Sequence, residues 1–559
     1  AADGDARQAV GVAAHGARPD DGGDDTAAIR QALAAAAAAG GELRFESGVY
    51  RLSARSDDQR YLFRLDGVEG LRIDGAGATL LVGTPTVGLF ELINCRDVTL
   101  GGFTVRYDPP PFAWGEIREV RRAGRTIVVA TDGGSPSFDA PWIVRNGEWG
   151  CFLDGAVPGR LASDLPNVVF LDGVPRRLAD GRFALRLRAG GRTLRGLAPG
   201  TPFVLNARDN GAPLVFASAC SRLRLEHIVN YASVGGHYLA VDSEDIAAIG
   251  CEARIAAGMP KSGNADFLHF QNCRGPIVIR NNLVEGISDD AVNLYAKPFY
   301  LLGRSGPREL KLSAHERRLR TRRASGRLRP GDGLVVYDRV AGEVLARTRV
   351  VAADPASGLV SVADELPALS GRAERLSFFG TGFARGVLIE GNRFRNLRRF
   401  GIFLKGYDAV IRGNHFEGLS ASAVFLSNEP ANYGEGLFCE NVRIAGNTIV
   451  NCGFSGNFEE NESWGAITVQ ALKVPHQLVE GADFHRGLVI AGNSMRGLRR
   501  GLAIGNVAGL EITIGQDGGA ELPLRLGDAA DVTIVGDGVD ARSLRIEKHG
   551  AVSGLRISE

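Results

Sequence analysis

The sequence of 559 residues predicts an all-β chain folded as a right-handed parallel β-helix, with an N-terminal capping helix and two inserted β-barrel-like subdomains. Three observations predict this fold: short β-rich runs broken by glycine and asparagine, a repeated segment with an aligned asparagine, and two long interruptions of that repeat. Glycine is abundant at 75 residues and methionine occurs only twice, so we expect many tight turns and few long helices.

The first element is predicted to be a helix that closes one end of the solenoid. An alanine-rich run follows Asp24-Asp25-Thr26, and either Asp25 or Thr26 can cap the helix start, while Gly40-Gly41 can end it. A strand with the sequence ELRFESGVYRL comes next. Stacked coils need such a cap because an open end would expose core residues and unpaired strand edges.

The repeat consists of segments in which alternating apolar residues precede an asparagine, and another apolar residue follows two positions later. Asparagine tolerates the left-handed backbone of a sharp corner, and stacked asparagines form amide ladders. Asn392 and Asn414 are 22 residues apart, about one coil of a β-helix. Leucine-rich repeats have a similar period, but their LxxLxL pattern and regular helices are missing. The aligned asparagines are Asn282, Asn392, Asn414, Asn447 and Asn493.

Two regions interrupt the repeat with alternating runs and turn signals typical of antiparallel strands, such as RTIVVATDGG. We expect both to project from the helix as β-barrel-like subdomains and to wall a groove. The predicted parts are residues 1–112, the cap and first coils; 113–212, an inserted β subdomain; 213–297, the coils with the acidic motif; 298–380, an inserted barrel-like subdomain; and 381–559, the C-terminal coils.

Charge and hydropathy exclude several classes of function. The chain has 65 basic and 64 acidic residues and no basic stripe, so we predict no nucleic-acid partner. The arginine-rich run at 316–323 is interpreted as a solvated face. No run of about 18 apolar residues is present, so no membrane span is predicted. No signal peptide is visible, and a secreted or periplasmic location is inferred from function alone.

The seven cysteines include no CxxC pair, which argues against a zinc site of the usual spacing. Their odd number leaves at least one thiol unpaired. Cys251 and Cys273 are 22 residues apart, which predicts that they stack on neighbouring coils. We interpret them as buried thiols rather than as a disulfide.

The segment 263–295 carries the residues with catalytic chemistry. Asp266 precedes Asp289 by 23 residues, about one coil, so we expect Asp266 to lie beside the Asp289-Asp290 pair. Three close carboxylates repel one another and raise at least one pKa, and glycoside hydrolysis needs one protonated and one ionised carboxyl. The sequence therefore predicts Asp266, Asp289 and Asp290 as catalytic. Turn chemistry and a calcium site remain open as alternatives, because hard cations prefer clustered oxygens.

This segment resembles glycoside hydrolase family 110, the bacterial α-1,3-galactosidases. That family has an aspartate followed by a His-Phe pair, and an Asp-Asp-Ala-x-Asn run one coil later; Asp266, His269-Phe270 and residues 289–293 match this order. The stretches 428–452 and 107–117 also resemble the family. Two positions depart from it: Leu294-Tyr295-Ala296 replaces Val-His-Gly, and Gly434 replaces a tryptophan.

The resemblance implies an exo-acting, metal-independent, inverting hydrolase that releases terminal α-linked galactose, without a cofactor. Its partner would be a galactose-containing glycan. The two departures leave the exact substrate open. A homodimer is also left open, because β-helix glycosidases form dimers although the sequence shows no interface.

The three aspartates also resemble those of the polygalacturonase family, by which Asp289 would be the acid while Asp266 and Asp290 hold the attacking water. The Gly-His-Gly and Arg-Ile-Lys motifs of that family are absent, which argues against polygalacturonate. The side chains predicted to contact substrate are His269, Asn293, Tyr295, Lys405, Asn428, Glu429, Tyr433, Glu435 and Trp114. The alternative is a core position for His269 and the aromatic residues, the asparagine ladder for Asn293, and a surface role for Glu429 and Glu435.

Two other functions remain open. A polysaccharide lyase on the same fold would need a uronic acid, a basic residue and often calcium; only Arg274 and Arg280 lie in the coils of the aspartates. A non-catalytic glycan-binding adhesin would need neither the aspartates nor the inserted subdomains.

Overall fold

The computed structural model describes residues 8–56, 58–121, 125–188, 196–314, 327–369, 371–455, 465–515 and 524–558. The chain forms a right-handed parallel β-helix with three long parallel sheets, as predicted. Each coil passes through sheet C, sheet A and sheet B in turn, as Gly88–Ile93, Arg96–Gly101 and Thr104–Tyr107 illustrate. The arginine-rich run 316–323 lies outside the described residues.

The strands are short and their inward side chains fill the core. Sheet A contains Ala9–Gly11, Glu42–Arg44, Arg72–Asp74, Arg96–Gly101, Ser221–Glu226, Glu244–Ile249, Arg274–Arg280, Arg385–Glu390, Tyr407–Arg412, Glu440–Ala445, His485–Ala491, Val507–Gly515, Ala529–Asp537, Val552–Ser553 and Arg556–Ser558. Sheet B contains Val49–Leu52, Thr79–Val82, Thr104–Tyr107, Val229–Asn230, Glu252–Ala253, Leu283–Glu285, Arg393–Arg395, His415–Glu417, Thr448–Val450 and Ser494–Arg496. Sheet C contains Tyr61–Asp66, Gly88–Ile93, Val215–Ser218, Tyr238–Val241, Leu268–Gln271, Val292–Tyr295, Ile402–Leu404, Val424–Leu426, Ile467–Val469, Leu502–Ile504, Leu524–Leu526 and Ile546–Lys548.

The predicted capping helix is present at Thr26–Ala38 and buries the face that carries Ile29 and Leu33. Asp25 occupies the N-cap position, but its carboxylate accepts a hydrogen bond from the Arg18 N–H instead. The side chain that accepts from the helix start is Asp24, whose Oδ1 lies 3.0 Å from the Thr26 nitrogen. The prediction that Asp25 or Thr26 supplies the capping side chain is therefore wrong by one residue.

The aligned asparagines form the predicted ladder at the corner between sheets A and B. Each buried amide oxygen accepts from the backbone and the side-chain amide of the asparagine one coil away; the Asn282 amide nitrogen lies 2.8 Å from Asn392 Oδ1, and that of Asn392 lies 2.8 Å from Asn414 Oδ1. The same pattern continues to Asn447 and Asn493. Five coils thus share one continuous chain of hydrogen bonds.

The seven cysteines are buried free thiols, which confirms the prediction of buried thiols for Cys251 and Cys273. Cys251 and Cys273 do not stack on each other, however. The backbone nitrogen of Cys251 donates to Asn282 Oδ1 and so continues the asparagine ladder, whereas the sheet register pairs the segment before Cys273 with the segment before Ser243. The prediction was wrong because residues 254–267 lengthen this coil beyond 22 residues.

Both inserted subdomains are antiparallel sheets that close on themselves. In the first barrel a bridge between Leu171 and Leu187 joins the ends of the strands Val169–Phe170 and Phe183–Arg186, and in the second barrel Phe299 and Phe378 exchange hydrogen bonds of 2.7 and 2.9 Å. The first barrel contains the strands Phe112–Arg121, Thr126–Thr131, Trp149–Phe152, Val169–Phe170, Arg176–Arg177, Phe183–Arg186 and Pro202–Asn206 and the helix Pro141–Asn146. The second contains Tyr300–Gly306, Glu309–Ser313, Gly333–Asp338, Glu343–Asp354, Leu359–Val362 and Leu376–Gly380.

The remaining elements are small. Among the described residues, no helix has the length and apolar character needed to cross a membrane. The chain also contains the 3-10 helices Val12–His15, Ala373–Arg375 and Ala541–Ser543 and the hairpin strands Leu472–Lys473 and Gln477–Leu478.

Candidate active site

The three predicted carboxylates meet where two neighbouring strands of sheet C begin. Leu268 pairs with Val292, and continuing this register places Asp266 beside Asp290. The Asp290 backbone N–H donates to Asp266 Oδ1 at 3.2 Å, and one oxygen of each of the three carboxylates lies within 4.8 Å of the others. Asp266, Asp289 and Asp290 are 5%, 7% and 1% exposed. The sequence thus predicted correctly that the three side chains come together.

A bend precedes the acidic pair, as expected from the glycine before it. Gly286 has a φ of 61°, in the left-handed region that glycine adopts most easily. Successive residues of a regular strand point to opposite faces. The bend allows Asp289 and Asp290 to line the same cavity although they are adjacent in sequence.

Asp289 is surrounded by three guanidinium groups. Arg208 donates to its Oδ2 at 2.6 Å, and Arg399 and Arg398 lie 3.4 and 3.6 Å from its Oδ1. Burial raises the pKa of the Asp289 carboxyl, but Arg208, Arg399 and Arg398 together outweigh burial and hold that pKa well below its usual range. Asp289 is therefore ionised at neutral pH.

Asp290 has the opposite character. Its Oδ1 accepts from the Phe400 backbone N–H at 3.2 Å, and its buried Oδ2 has no hydrogen-bond partner among the described residues. Burial is the largest cause that raises the pKa of Asp290 well above its usual value; Arg399 opposes this effect, and the neighbouring Asp289 and Asp266 add to it. The site thus pairs one ionised carboxylate with one carboxyl that keeps its proton.

His269 lies against Asp266 and has a partner at both ring nitrogens. Its Nδ1 is 2.5 Å from Asp266 Oδ2, and its Nε2 is 2.8 Å from the Tyr295 hydroxyl oxygen. That hydroxyl also lies 3.1 Å from Gln271 Oε1. The chain of contacts orients Asp266, and it places His269 and Tyr295 on the cavity wall.

A second polar cluster lies farther along the same strand. The Lys405 ammonium donates to Asn293 Oδ1 at 2.8 Å and to Glu435 Oε2 at 3.1 Å. Burial raises the pKa of Glu435, but Lys405, His269 and Lys297 outweigh it and leave that pKa below its usual value. Asn293 and Glu435 line the cavity, and Lys405 lies behind them with its side chain fully buried.

The cavity has a volume of about 670 Å³ and three kinds of wall. Sheet C supplies the floor with the carboxylates, and the first barrel supplies a wall that includes Trp149 and Phe170. The loop 429–435 supplies the third wall, where Glu429 accepts from the Tyr433 N–H at 2.6 Å and Tyr433 is 64% exposed. Both Glu429 and Tyr433 line the cavity.

Two predicted substrate contacts lie elsewhere. Trp114 is 5% exposed and packs 5.8 Å from the Phe112 ring in the core beside the first barrel. Asn428 is 2% exposed, and its amide exchanges hydrogen bonds with the backbone of Leu472. Neither residue lines the cavity, so both have structural roles and the prediction of substrate contact was wrong for them.

Several known proteins are similar to this chain, and their names agree with the family that the motif resembles. No protein-family profile matches the chain. Alpha-1,3-galactosidase B of Akkermansia muciniphila is 24% identical over 455 residues, which cover 77% of this chain and 54% of the relative. Alpha-1,3-galactosidase B of Parabacteroides distasonis is 24% identical over 469 residues, which cover 77% and 71%. The chain is a homologue of proteins named alpha-1,3-galactosidase. It spans about half the length of the Akkermansia relative.

Two solved structures have low similarity to this chain. The Agl-KA catalytic domain has a TM-score of 0.48 and 11% identity over 99% of this chain and 68% of its own. The Yersinia enterocolitica family 28 exopolygalacturonase has a TM-score of 0.39 and 11% identity over 99% of this chain and 78% of its own. The strand pairing of the chain itself defines the β-helix.

Three arginines of the site were not predicted, although the repeat contains a signal for one of them. Arg399 follows Asn392 by seven residues, as Asp289 follows Asn282 by seven, so the asparagine ladder aligns the two on neighbouring coils. Arg398 directly precedes Arg399 and is therefore brought to the same part of the coil. Arg208 has no such signal, because it lies outside the repeat, near the end of the first barrel.

The three aspartates are close enough to ligate a cation, which is the calcium alternative. The surroundings do not fit one. Asp289 already pairs with Arg208, Arg398 and Arg399, and a cation bound there would face three guanidinium groups.

Proposed function

We propose that the chain is an exo-acting, inverting glycoside hydrolase of the family 110 type, which releases terminal α-linked galactose from oligo- or polysaccharides. One observation carries the hydrolase proposal: two buried neighbouring carboxyls in opposite surroundings, Asp289 among three guanidinium groups and Asp290 with a buried oxygen that has no partner among the described residues, line one cavity. Such a pair supplies the base and the acid of glycoside hydrolysis. The names of the homologues supply the sugar and the linkage.

The reaction is a single displacement. Asp290 donates its proton to the glycosidic oxygen as the bond from that oxygen to the anomeric carbon breaks, and water forms the new bond from the opposite face. Asp289 takes a proton from this water, and Asp266 helps to hold it. These roles reverse the polygalacturonase analogy, because three guanidinium groups keep Asp289 ionised.

We propose that the reaction inverts the configuration at the anomeric carbon. The closest oxygens of the carboxylates lie within 4.8 Å of one another, a shorter separation than the roughly 6.5–9.5 Å usual in inverting enzymes. Inversion is supported by the recessed position of Asp289 and Asp266, the two carboxylates that hold the water, which are 7% and 5% exposed. A recessed carboxyl leaves room for a water molecule between itself and the sugar, whereas a nucleophile must contact the anomeric carbon.

The galactose itself fits the polar cluster. Asn293, Glu435 and Tyr295 present amide, carboxylate and hydroxyl groups to the cavity, and Lys405 behind them fixes Asn293 and Glu435. Buried groups with fixed orientation discriminate strongly between sugars that do and do not match their hydrogen bonds. Recognition of one terminal sugar at this cluster accounts for exo action.

The proposal is tested on a panel of α- and β-linked oligosaccharides led by Gal-α-1,3-Gal, with and without a chelator. We expect free galactose from Gal-α-1,3-Gal at the same rate in both conditions, because guanidinium groups and not a cation neutralise Asp289. The Asp289→Asn variant is the control and should release none above background. A calcium-dependent product that absorbs ultraviolet light would indicate a lyase, and binding without turnover would indicate an adhesin; either result contradicts the proposal.

A further inference from the structure

We propose that the first inserted barrel forms the binding site for the next sugar of the glycan, on the leaving-group side of the cleaved bond. Trp149 and Phe170 are its stacking platform. The ligand class is a neutral pyranose linked to the terminal galactose. This inference rests on the proposed function and extends it from the galactose site to the rest of the substrate.

Trp149 and Phe170 form an aromatic pair on the cavity wall. They are direct partners across two antiparallel strands, Trp149–Phe152 and Val169–Phe170, so their side chains project from the same face of the sheet. Both line the cavity, and Phe170 is 41% exposed. An aromatic side chain left half open to a cavity with polar neighbours is typical of a surface that binds a ligand with an apolar face.

Arg398 links the aromatic pair to the catalytic carboxylates, because it lies close to both. The Arg398 guanidinium lies 5.1 Å from the centre of the Trp149 ring, and its Nη2 lies 3.6 Å from Asp289 Oδ1. Asn293, in contrast, lies three residues farther along the strand from Asp290, about 10 Å in extended chain. The carboxylates therefore separate a polar end that suits the galactose from an aromatic end that suits the leaving sugar.

The chemistry of the aromatic end matches a neutral sugar. One face of a pyranose presents C–H groups that stack on an aromatic ring, and its edge presents hydroxyls. Asn146 and the buried Asn167 line the cavity near the pair and offer amide donors and acceptors, and Arg145 and Glu148 carry opposite charges. A cavity of about 670 Å³ has the size of sites that bind drug-sized ligands, which are larger than one hexose.

The first barrel is fixed against the turn that precedes Asp289. A subsite on the barrel requires such a fixed position relative to the carboxylates. The fully buried Lys261 donates to Ser288, next to Asp289, and to Asn264, each at 2.7 Å. It also bonds to Asn206 on the last strand of the barrel and lies 4.7 Å from the centre of the Phe112 ring. These contacts fix the barrel wall relative to the carboxylates.

The test compares two substrates that share the galactose but differ in the leaving group. Gal-α-1,3-Gal has a second sugar, and α-galactosyl fluoride has none. We expect Phe170→Ala to lower the ratio of kcat/KM for the disaccharide to kcat/KM for the fluoride about twofold to tenfold, because only the disaccharide loses an aromatic contact. Phe170→Trp should restore the ratio to within about twofold of wild type. Val174→Ala, a 65% exposed residue of the same barrel that does not line the cavity, is the matched control.

An unchanged ratio in Phe170→Ala, or an equal loss on both substrates, would overturn the subsite. If wild type hydrolyses neither substrate, the proposed function is contradicted, and so is the subsite proposal that rests on it. Wild-type hydrolysis of both substrates together with an unchanged ratio in Phe170→Ala would refute the subsite alone.

Discussion

Asp290→Asn is expected to lower kcat for Gal-α-1,3-Gal by about 10²–10⁴-fold, the usual contribution of a general acid. The same variant should lose much less activity on α-galactosyl fluoride, because fluoride leaves without a proton. Asparagine has the shape of aspartate and can still accept from the Phe400 N–H, so thermal unfolding should change little. The matched variant is Asp289→Asn, which should lose activity on both substrates, and added azide should restore turnover by replacing the activated water.

The pH profile separates the same two roles. The acid must be protonated, so kcat/KM should fall on the alkaline side only as pH passes the raised pKa of Asp290. The base must be ionised, so the lowered pKa of Asp289 should keep activity high on the acidic side. The opposite assignment would be shown by Asp289→Asn being the variant that keeps its activity on the fluoride while Asp290→Asn responds to azide.

Asn392→Ala is expected to lower the free energy of unfolding by about 3–6 kcal/mol. The Asn392 side chain accepts from the Asn282 backbone and side-chain amides at 2.9 and 2.8 Å and donates to the Ile279 carbonyl at 3.0 Å. Removing it leaves buried groups on Asn282 and Ile279 without partners, at about 1–3 kcal/mol each. The midpoint of urea unfolding measures the loss.

Arg393→Ala is the control for the ladder prediction. Arg393 is the next residue on the same coil, and its side chain is exposed. Its replacement should leave the free energy of unfolding within about 0.5 kcal/mol of wild type. Equal midpoints for both variants would show that the asparagine ladder adds nothing to stability.

The features that the sequence predicted well are those that depend on the period of the coil. Asn392 and Asn414, like Asp266 and Asp289, recur at coil spacing, so parallel stacking brings each pair together without any knowledge of distant contacts. The predicted stacking of Cys251 and Cys273 was wrong because a loop inside one coil changed the spacing between coils.

The period of the coil could not predict the contacts that the inserted barrel makes. Arg208 meets Asp289 across 81 residues because the barrel folds back onto the catalytic turn. Trp114 and Trp149 belong to neighbouring parts of the same barrel, yet Trp114 enters the core and Trp149 lines the cavity. Only the closure of the barrel decides which side of each strand faces inward, and the alternation of apolar residues does not distinguish the two.

The most direct measurement is proton NMR of Gal-α-1,3-Gal during the first minutes of hydrolysis by the wild-type protein. We expect galactose to be released and its β-anomer to accumulate before mutarotation, as a single displacement by water requires. Initial accumulation of the α-anomer would contradict inversion and indicate a covalent intermediate. Absence of free galactose would contradict the central claim that this cavity cleaves terminal α-linked galactose.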